Sequence, residues 1–191
     1  QVAPASVCRE MNLVSSVFTT AIREWGLNLP ANPCSLISRP KQPRARTQRV
    51  SVADRDTLVA QLGWDMKSKP VTAKQWMAAA FCFALETAMR KGEVLSLEWG
   101  EIHKVAKYAH LDMTKNGEER NVPLSKAAFD LLAKLGEGAP KERIFKVEAG
   151  NLDKEFRAAR KATGLMHVRF HDSRREATTN IAGKLSNVLE L

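Results

Sequence analysis

The sequence has 191 residues, 44% of them apolar, with 30 Lys and Arg against 21 Asp and Glu for a net charge of +9. That length and apolar share suit one folded domain, or one domain with a piece of another, and no apolar run is long enough to span a membrane. Cys8, Cys34 and Cys82 are odd in number and far apart, which excludes a disulfide framework or zinc ribbon and suits a reducing, cytoplasmic setting, while the basic excess favours an anionic partner.

The chain opens on Gln1, with no basic segment leading into an apolar one, so no secretory signal is recognised. Residues 6–25 predict a helix, because Val14, Val17, Phe18, Ala21, Ile22 and Trp25 recur at helical steps. Gly26 stops it, and Pro30 and Pro33 prevent its continuation. A single helix cannot bury its own apolar stripe, so it either packs on the main domain or takes partners from before Gln1, in which case residues 1–38 are the end of a separate helical domain. Residues 39–49 carry Arg39, Lys41, Arg44, Arg46 and Arg49 with no acid, and Pro40 and Pro43 keep them extended. This composition makes a linker, either merely solvated or laid as a strap along a phosphate backbone.

A main domain is expected over 50–191. Residues 54–62 predict a short helix. Thr72 and Gln75 form a capping-box pattern ahead of a central helix bearing Trp76, Met77, Ala80, Phe81, Ala84, Leu85 and Ala88. A bend after Ala88 and a short helix from Gly92 to Leu97 follow. Residues 102–105 and 108–113 predict strands, and Asn116-Gly117 is a strong hairpin signal before a returning strand at 120–124. Ser125 caps a helix ending at Gly136. Ile144 and Phe145 form a small buried touch-down. A helix over 152–161 places Leu152, Phe156 and Ala159 inward, and Gly164 stops it. His171 opens one more helix, and Leu185, Val188 and Leu189 suggest another.

Two arginine clusters stand out. Arg90 lies at the joint between two helices with Glu93 three residues on, so the carboxylate can hold the guanidinium on one face as a shaped phosphate clamp. His171 and Arg174 share a face in the same way. The plainer alternatives are an arginine that snorkels to solvent and a satisfied surface pair. Lys115, beside the hairpin turn, is either simply exposed or a candidate general acid for a leaving hydroxyl. The four histidines show no metal-ligand spacing, and no dinucleotide or ATP phosphate-loop motif is present, so no metal or cofactor is expected.

Three ordered blocks carry a resemblance: residues 84–99 around Arg90-Lys91-Gly92-Glu93, residues 114–125 around Lys115-Asn116-Gly117, and residues 169–177 around His171-Asp172-Ser173-Arg174. Together they resemble the tyrosine recombinase family, in particular prophage-type integrases, from about Val50 onward. The resemblance implies an α+β, mostly helical catalytic domain with a small antiparallel β-sheet, preceded by a core-binding domain and a basic linker that clamp DNA. It implies that Arg90, Lys115, His171 and Arg174 are catalytic and that Glu93 supports Arg90. It further implies contacts to double-stranded DNA from Arg39, Lys41, Arg44, Arg46, Arg49 and Arg175. In such enzymes the arginines grip the scissile phosphate, and a tyrosine forms a 3′-phosphotyrosyl bond without metal or nucleotide. A homo-oligomer on DNA, tetrameric at synapsis, is the implied assembly.

The family places a Gly-His pair and its nucleophilic tyrosine beyond the second arginine, and neither appears before Leu191. Tyr108 is the single tyrosine and reads as strand packing. Ser173 and Arg175 stand where many members carry Leu and His. The expectation is therefore a catalytic domain truncated before its nucleophile, binding DNA without cleaving it, with an apolar groove near Ala177, Ile181, Leu185 and Leu189 open for self-association. Alternatives are a non-catalytic DNA-binding prophage remnant and a basic helical interaction protein that ignores DNA.

Overall fold

The computed structural model describes residues 2–41, 47–112 and 119–183. The chain divides into two compact units, Gln1–Thr47 and Gln48–Leu191, and the division falls inside the basic stretch 39–49.

The first unit is helix α1 (Pro4–Arg23) followed by a return segment with one 3-10 turn (Pro33–Ser35). Asn32 joins the two. Its amide Nδ2 donates to the Ser15 carbonyl at 2.8 Å and to the Thr19 hydroxyl at 3.0 Å, and its Oδ1 accepts from the Cys34 amide at 2.9 Å. Cys8 and Ala21 are the buried residues of α1. Val14, Val17 and Trp25 of the predicted apolar stripe are exposed. The return segment gives α1 one packing partner within its unit, too little to cover a whole apolar face.

The second unit is organised by α3 (Ala73–Thr87), against which α2 (Val52–Gln61), α4 (Lys91–Ser96), α5 (Lys126–Leu135), α6 (Ala149–Ala162) and α7 (Asp172–Ala182) pack. Both predicted caps of this unit form. Thr72 and Gln75 make a reciprocal capping box on α3, and the Ser125 hydroxyl accepts from the Ala128 amide on α5. Ser51 and Asp54 make a second box, which starts α2 at Val52, two residues before its predicted start. Ten residues of α3, Trp76 through Ala84 and Thr87, are buried. A helix apolar on every side belongs at the centre of a core. Phe81 stacks at a tilt on Phe156 of α6 and on Phe170, with ring centroids 4.9 and 5.6 Å apart. The chain leaves α3 through Ala88 in the left-handed region, φ 54°, which makes the predicted bend.

Strands β1 (Ile102–His103), β2 (Tyr108–Leu111) and β3 (Arg120–Pro123) form an antiparallel sheet in the order β1-β2-β3, with Leu111 opposite Arg120. β1 is shorter than predicted. Lys107, φ 58°, turns the chain early, and Val105 is left 98% exposed. The architecture is mostly helical with a small antiparallel sheet. The predicted hairpin turn with Lys115, and the apolar residues Leu185, Val188 and Leu189, lie outside the described residues.

Candidate functional site

Arg90 is the residue before α4, and its position follows from the bend at Ala88. Glu93, one turn into α4, closes back on it. Glu93 Oε2 accepts from the Arg90 amide at 2.7 Å, and Oε1 accepts from Arg90 Nη1 at 2.8 Å. Arg174 reaches the same joint from α7. Its Nη1 donates to the Ala88 carbonyl at 2.7 Å, although 86 residues separate the two in the chain. The structure thus brings the two predicted arginines to one place, each with its guanidinium fixed by an acceptor.

The charges act on one another. Burial and the neighbouring guanidinium groups of Arg90 and Arg120 make the Arg174 cation less favourable than usual, with Glu93 opposing. An arginine remains protonated nonetheless. Burial pushes the Glu93 carboxyl up, but the bonds from the Arg90 amide and side chain and the charge of Arg120 outweigh it, so the group lies below the usual glutamate range. The result is an ionised carboxylate with a 10% exposed side chain, surrounded by cations that remain about one-third exposed.

His171 immediately precedes α7, one turn from Arg174, and is exposed. It lines a basic cleft with Arg157, Arg160, Arg169 and Lys91. Phe170 on its N-terminal side is buried among aromatics, which anchors the start of α7. Arg175 is exposed on α7. Lys115, Arg44 and Arg46 lie outside the described residues.

Arg39 and Arg49, both predicted as DNA contacts, bond to protein side chains. The Arg39 guanidinium donates to the Asn12 side chain in the first unit. Arg49 makes a two-pronged bond to Glu176, Nε to Oε2 at 2.9 Å and Nη2 to Oε1 at 2.6 Å, and also donates to Asn180. It ties the start of the second unit to α7. Tyr108 stacks on His103, with centroids 4.4 Å apart, in the packing role its strand pattern indicated.

The residue that sequence reasoning missed is Arg120. Its Nη2 donates to Glu93 Oε2 at 2.7 Å, so one carboxylate serves two arginines. The strand alternation holds the signal, since Arg120 shares its face with buried Val122 while Asn121 and Pro123 are exposed. A cation on the inward face of a strand needs a partner.

Residues 59–188 match the phage integrase family. The chain belongs to that family. This integrase-family chain is 38% identical over 184 residues to a putative integrase/recombinase of Haemophilus influenzae, covering 92% of this chain and 49% of that protein. It is 34% identical over 185 residues to a shufflon-specific DNA recombinase of Escherichia coli, covering 95% and 45%. It therefore spans about half the length of these relatives. Its fold is that of a lambda integrase dimer bound to a COC′ core site, with a TM-score of 0.65 at 18% identity over 97% of this chain and 59% of that one. The Tn1549 transposon integrase, in complex with circular intermediate DNA, gives a TM-score of 0.63 at 15% identity, over 97% and 69%. The fold expectation of a tyrosine recombinase catalytic domain is met. Among the described residues no helix is long and apolar enough to cross a membrane.

Proposed function

We propose that this chain is the phosphate-gripping part of a site-specific DNA recombinase acting through a 3′-phosphotyrosyl intermediate. The observation that carries the reading is the convergence of Arg90 and Arg174 on the Ala88 bend, from elements far apart in sequence. Two fixed guanidinium groups can each present paired donors to the non-bridging oxygens of a phosphodiester. As a nucleophile adds, charge on those oxygens grows, and pre-set cations stabilise the five-coordinate transition state more than the ground state. His171, on the same helical face as Arg174, supplies a neutral or charged donor beside them. Lys115 on the β2–β3 connection is assigned as the acid for the leaving 5′ hydroxyl. Glu93 keeps Arg90 shaped for its task.

The partner is double-stranded DNA in the cytoplasm, held also by the basic residues ahead of Arg49 and by Arg175, with several copies of the protein meeting at synapsis. The 191-residue polypeptide itself binds DNA without forming a covalent adduct. The stacking of its single tyrosine, Tyr108, on His103 in the sheet supports this reading.

Fluorescence anisotropy with duplex DNA across a salt series tests this reading. The wild-type chain is expected to bind with an affinity that falls as salt rises. Arg90→Ala and Arg174→Ala are expected to weaken binding while leaving the fold intact. Wild-type affinity in both variants, or a covalent DNA adduct formed by this polypeptide, would overturn it.

A further inference from the structure

The cluster around Glu93 holds more positive charge than it needs for its own cohesion. Three guanidinium groups, those of Arg90, Arg120 and Arg174, face one carboxylate. Among the described residues, two cationic charges are left without a carboxylate in a partly buried place. Such an excess opposes folding unless an anion completes it, and it is the kind of arrangement retained at sites of function.

Arg120 differs from its two companions in what holds it. Arg90 and Glu93 belong to the same helical turn, so their mutual bond references the guanidinium only to its own helix. Arg120 comes from β3, in a separate element, and its Nη2 occupies the second oxygen of Glu93 at 2.7 Å. The terminal torsion of a glutamate is broad. The Arg90 amide and Nη1 engage both Glu93 oxygens from the same helical turn. The Arg120 bond, shared with the amide on Oε2, ties that carboxylate to β3 and so references the direction of Arg90 to a second element. The Nε of Arg120 is buried and has no hydrogen-bond partner. The guanidinium is therefore committed through Nη2 to Glu93 while its buried Nε donor is left unmet among the described residues, which costs free energy.

We propose that Arg120 is a positioning residue of the phosphate site, holding Glu93 so that Glu93 aims Arg90 at a phosphoryl oxygen. The proposal rests on the reading that Arg90 and Arg174 bind phosphate.

The test is the affinity of the 191-residue chain for inorganic phosphate at low ionic strength, followed by 31P NMR line broadening. Arg120→Gln is expected to weaken phosphate binding about tenfold, the size of one charge-assisted hydrogen bond. Arg120→Lys, which keeps the charge but loses the fork, is expected to recover part of that loss, and it stands in if the glutamine variant fails to fold. The Glu93 carboxyl, followed by 13C NMR, is expected to titrate higher in Arg120→Gln. In a Glu93→Ala background, Arg120→Gln is expected to cost nothing further, because its route to Arg90 is already cut. An equal loss with and without Glu93 would make Arg120 a direct phosphate ligand and overturn the positioning role. Unchanged phosphate affinity in Arg120→Gln, with clear losses in Arg90→Ala and Arg174→Ala, would overturn this proposal alone. No loss in those two variants would remove the phosphate reading and this proposal with it.

Discussion

Arg174 donates from Nη1 to the carbonyl oxygen of Ala88 at 2.7 Å, joining α7 to the residue that ends α3. The bond depends on Ala88 holding φ 54°, a conformation that costs alanine about 1–2 kcal/mol and turns its carbonyl toward Arg174. Ala88→Gly is expected to be near neutral for stability, since relief of that strain is offset by a freer unfolded chain. Ala88→Val is expected to destabilise by about 2 kcal/mol, because a β-branched residue tolerates the left-handed region poorly. Urea unfolding at constant slope measures both. The valine variant is also expected to lose DNA affinity, as Arg174 loses its acceptor.

The same joint is sensitive to acid. Glu93 titrates below the usual glutamate range when folded. Its contribution to stability is therefore present above the unfolded-state value, about 4.3, and is lost as pH falls through the lower folded-state value. In Glu93→Gln this contribution is absent. The variant is expected to be less stable than wild type at pH 7 by about 1–3 kcal/mol, reduced by solvent screening at the open side of the cluster. The gap is expected to narrow on acidification. Thermal unfolding of both proteins from pH 7 to pH 3 tests this, and a constant gap would show that the Glu93 carboxylate is not the acid-sensitive group.

Phe156 is 3% exposed, with its ring against both Phe81 and Phe170. Phe156→Ala is expected to cost about 3–5 kcal/mol, from lost burial and from a cavity that three packed elements cannot close. Because Phe170 immediately precedes His171, the variant is also expected to loosen the start of α7. Hydrogen exchange at the α7 amides is expected to rise beyond the global change. Exchange that rises uniformly would show that the aromatic cluster does not anchor His171.

Much of this arrangement is legible in the sequence, and the exceptions have physical causes. Thr72, Gln75 and Ser125 announce their helices because a cap is a local hydrogen bond between residues three apart. Arg90 and Glu93 are legible for the same reason. Arg120 is not, because its partner comes from another element 27 residues away, and only the alternation of β3 hints at it. Ala88 lacks the glycine that usually marks a left-handed position. The α1 stripe is legible as a helical period, but periodicity cannot say what covers it, and Val14, Val17 and Trp25 are exposed. The phosphate strap is a reading of composition, and composition cannot reveal that Glu176 lies within reach of Arg49.

Arg49 separates two roles that charge alone confuses. Its guanidinium meets both Glu176 oxygens and Asn180, and Glu176 also accepts from the Val50 amide at 3.3 Å. The Arg49 bond and charge hold the Glu176 carboxyl below its usual range, opposed by burial. An arginine so engaged has its Nε and Nη2 donors turned to protein. Removing a side chain that neutralises one DNA phosphate lowers the slope of log affinity against log salt by about 0.9. Arg49→Ala is expected to leave that slope unchanged while lowering the unfolding midpoint, because Val50 and α7 lose their tether. Arg90→Ala is expected to show the opposite pattern, a shallower slope with a smaller change in midpoint. A shallower slope for Arg49→Ala would mean that Arg49 leaves Glu176 for a phosphate when DNA binds. The linker would then serve as a strap along its whole length.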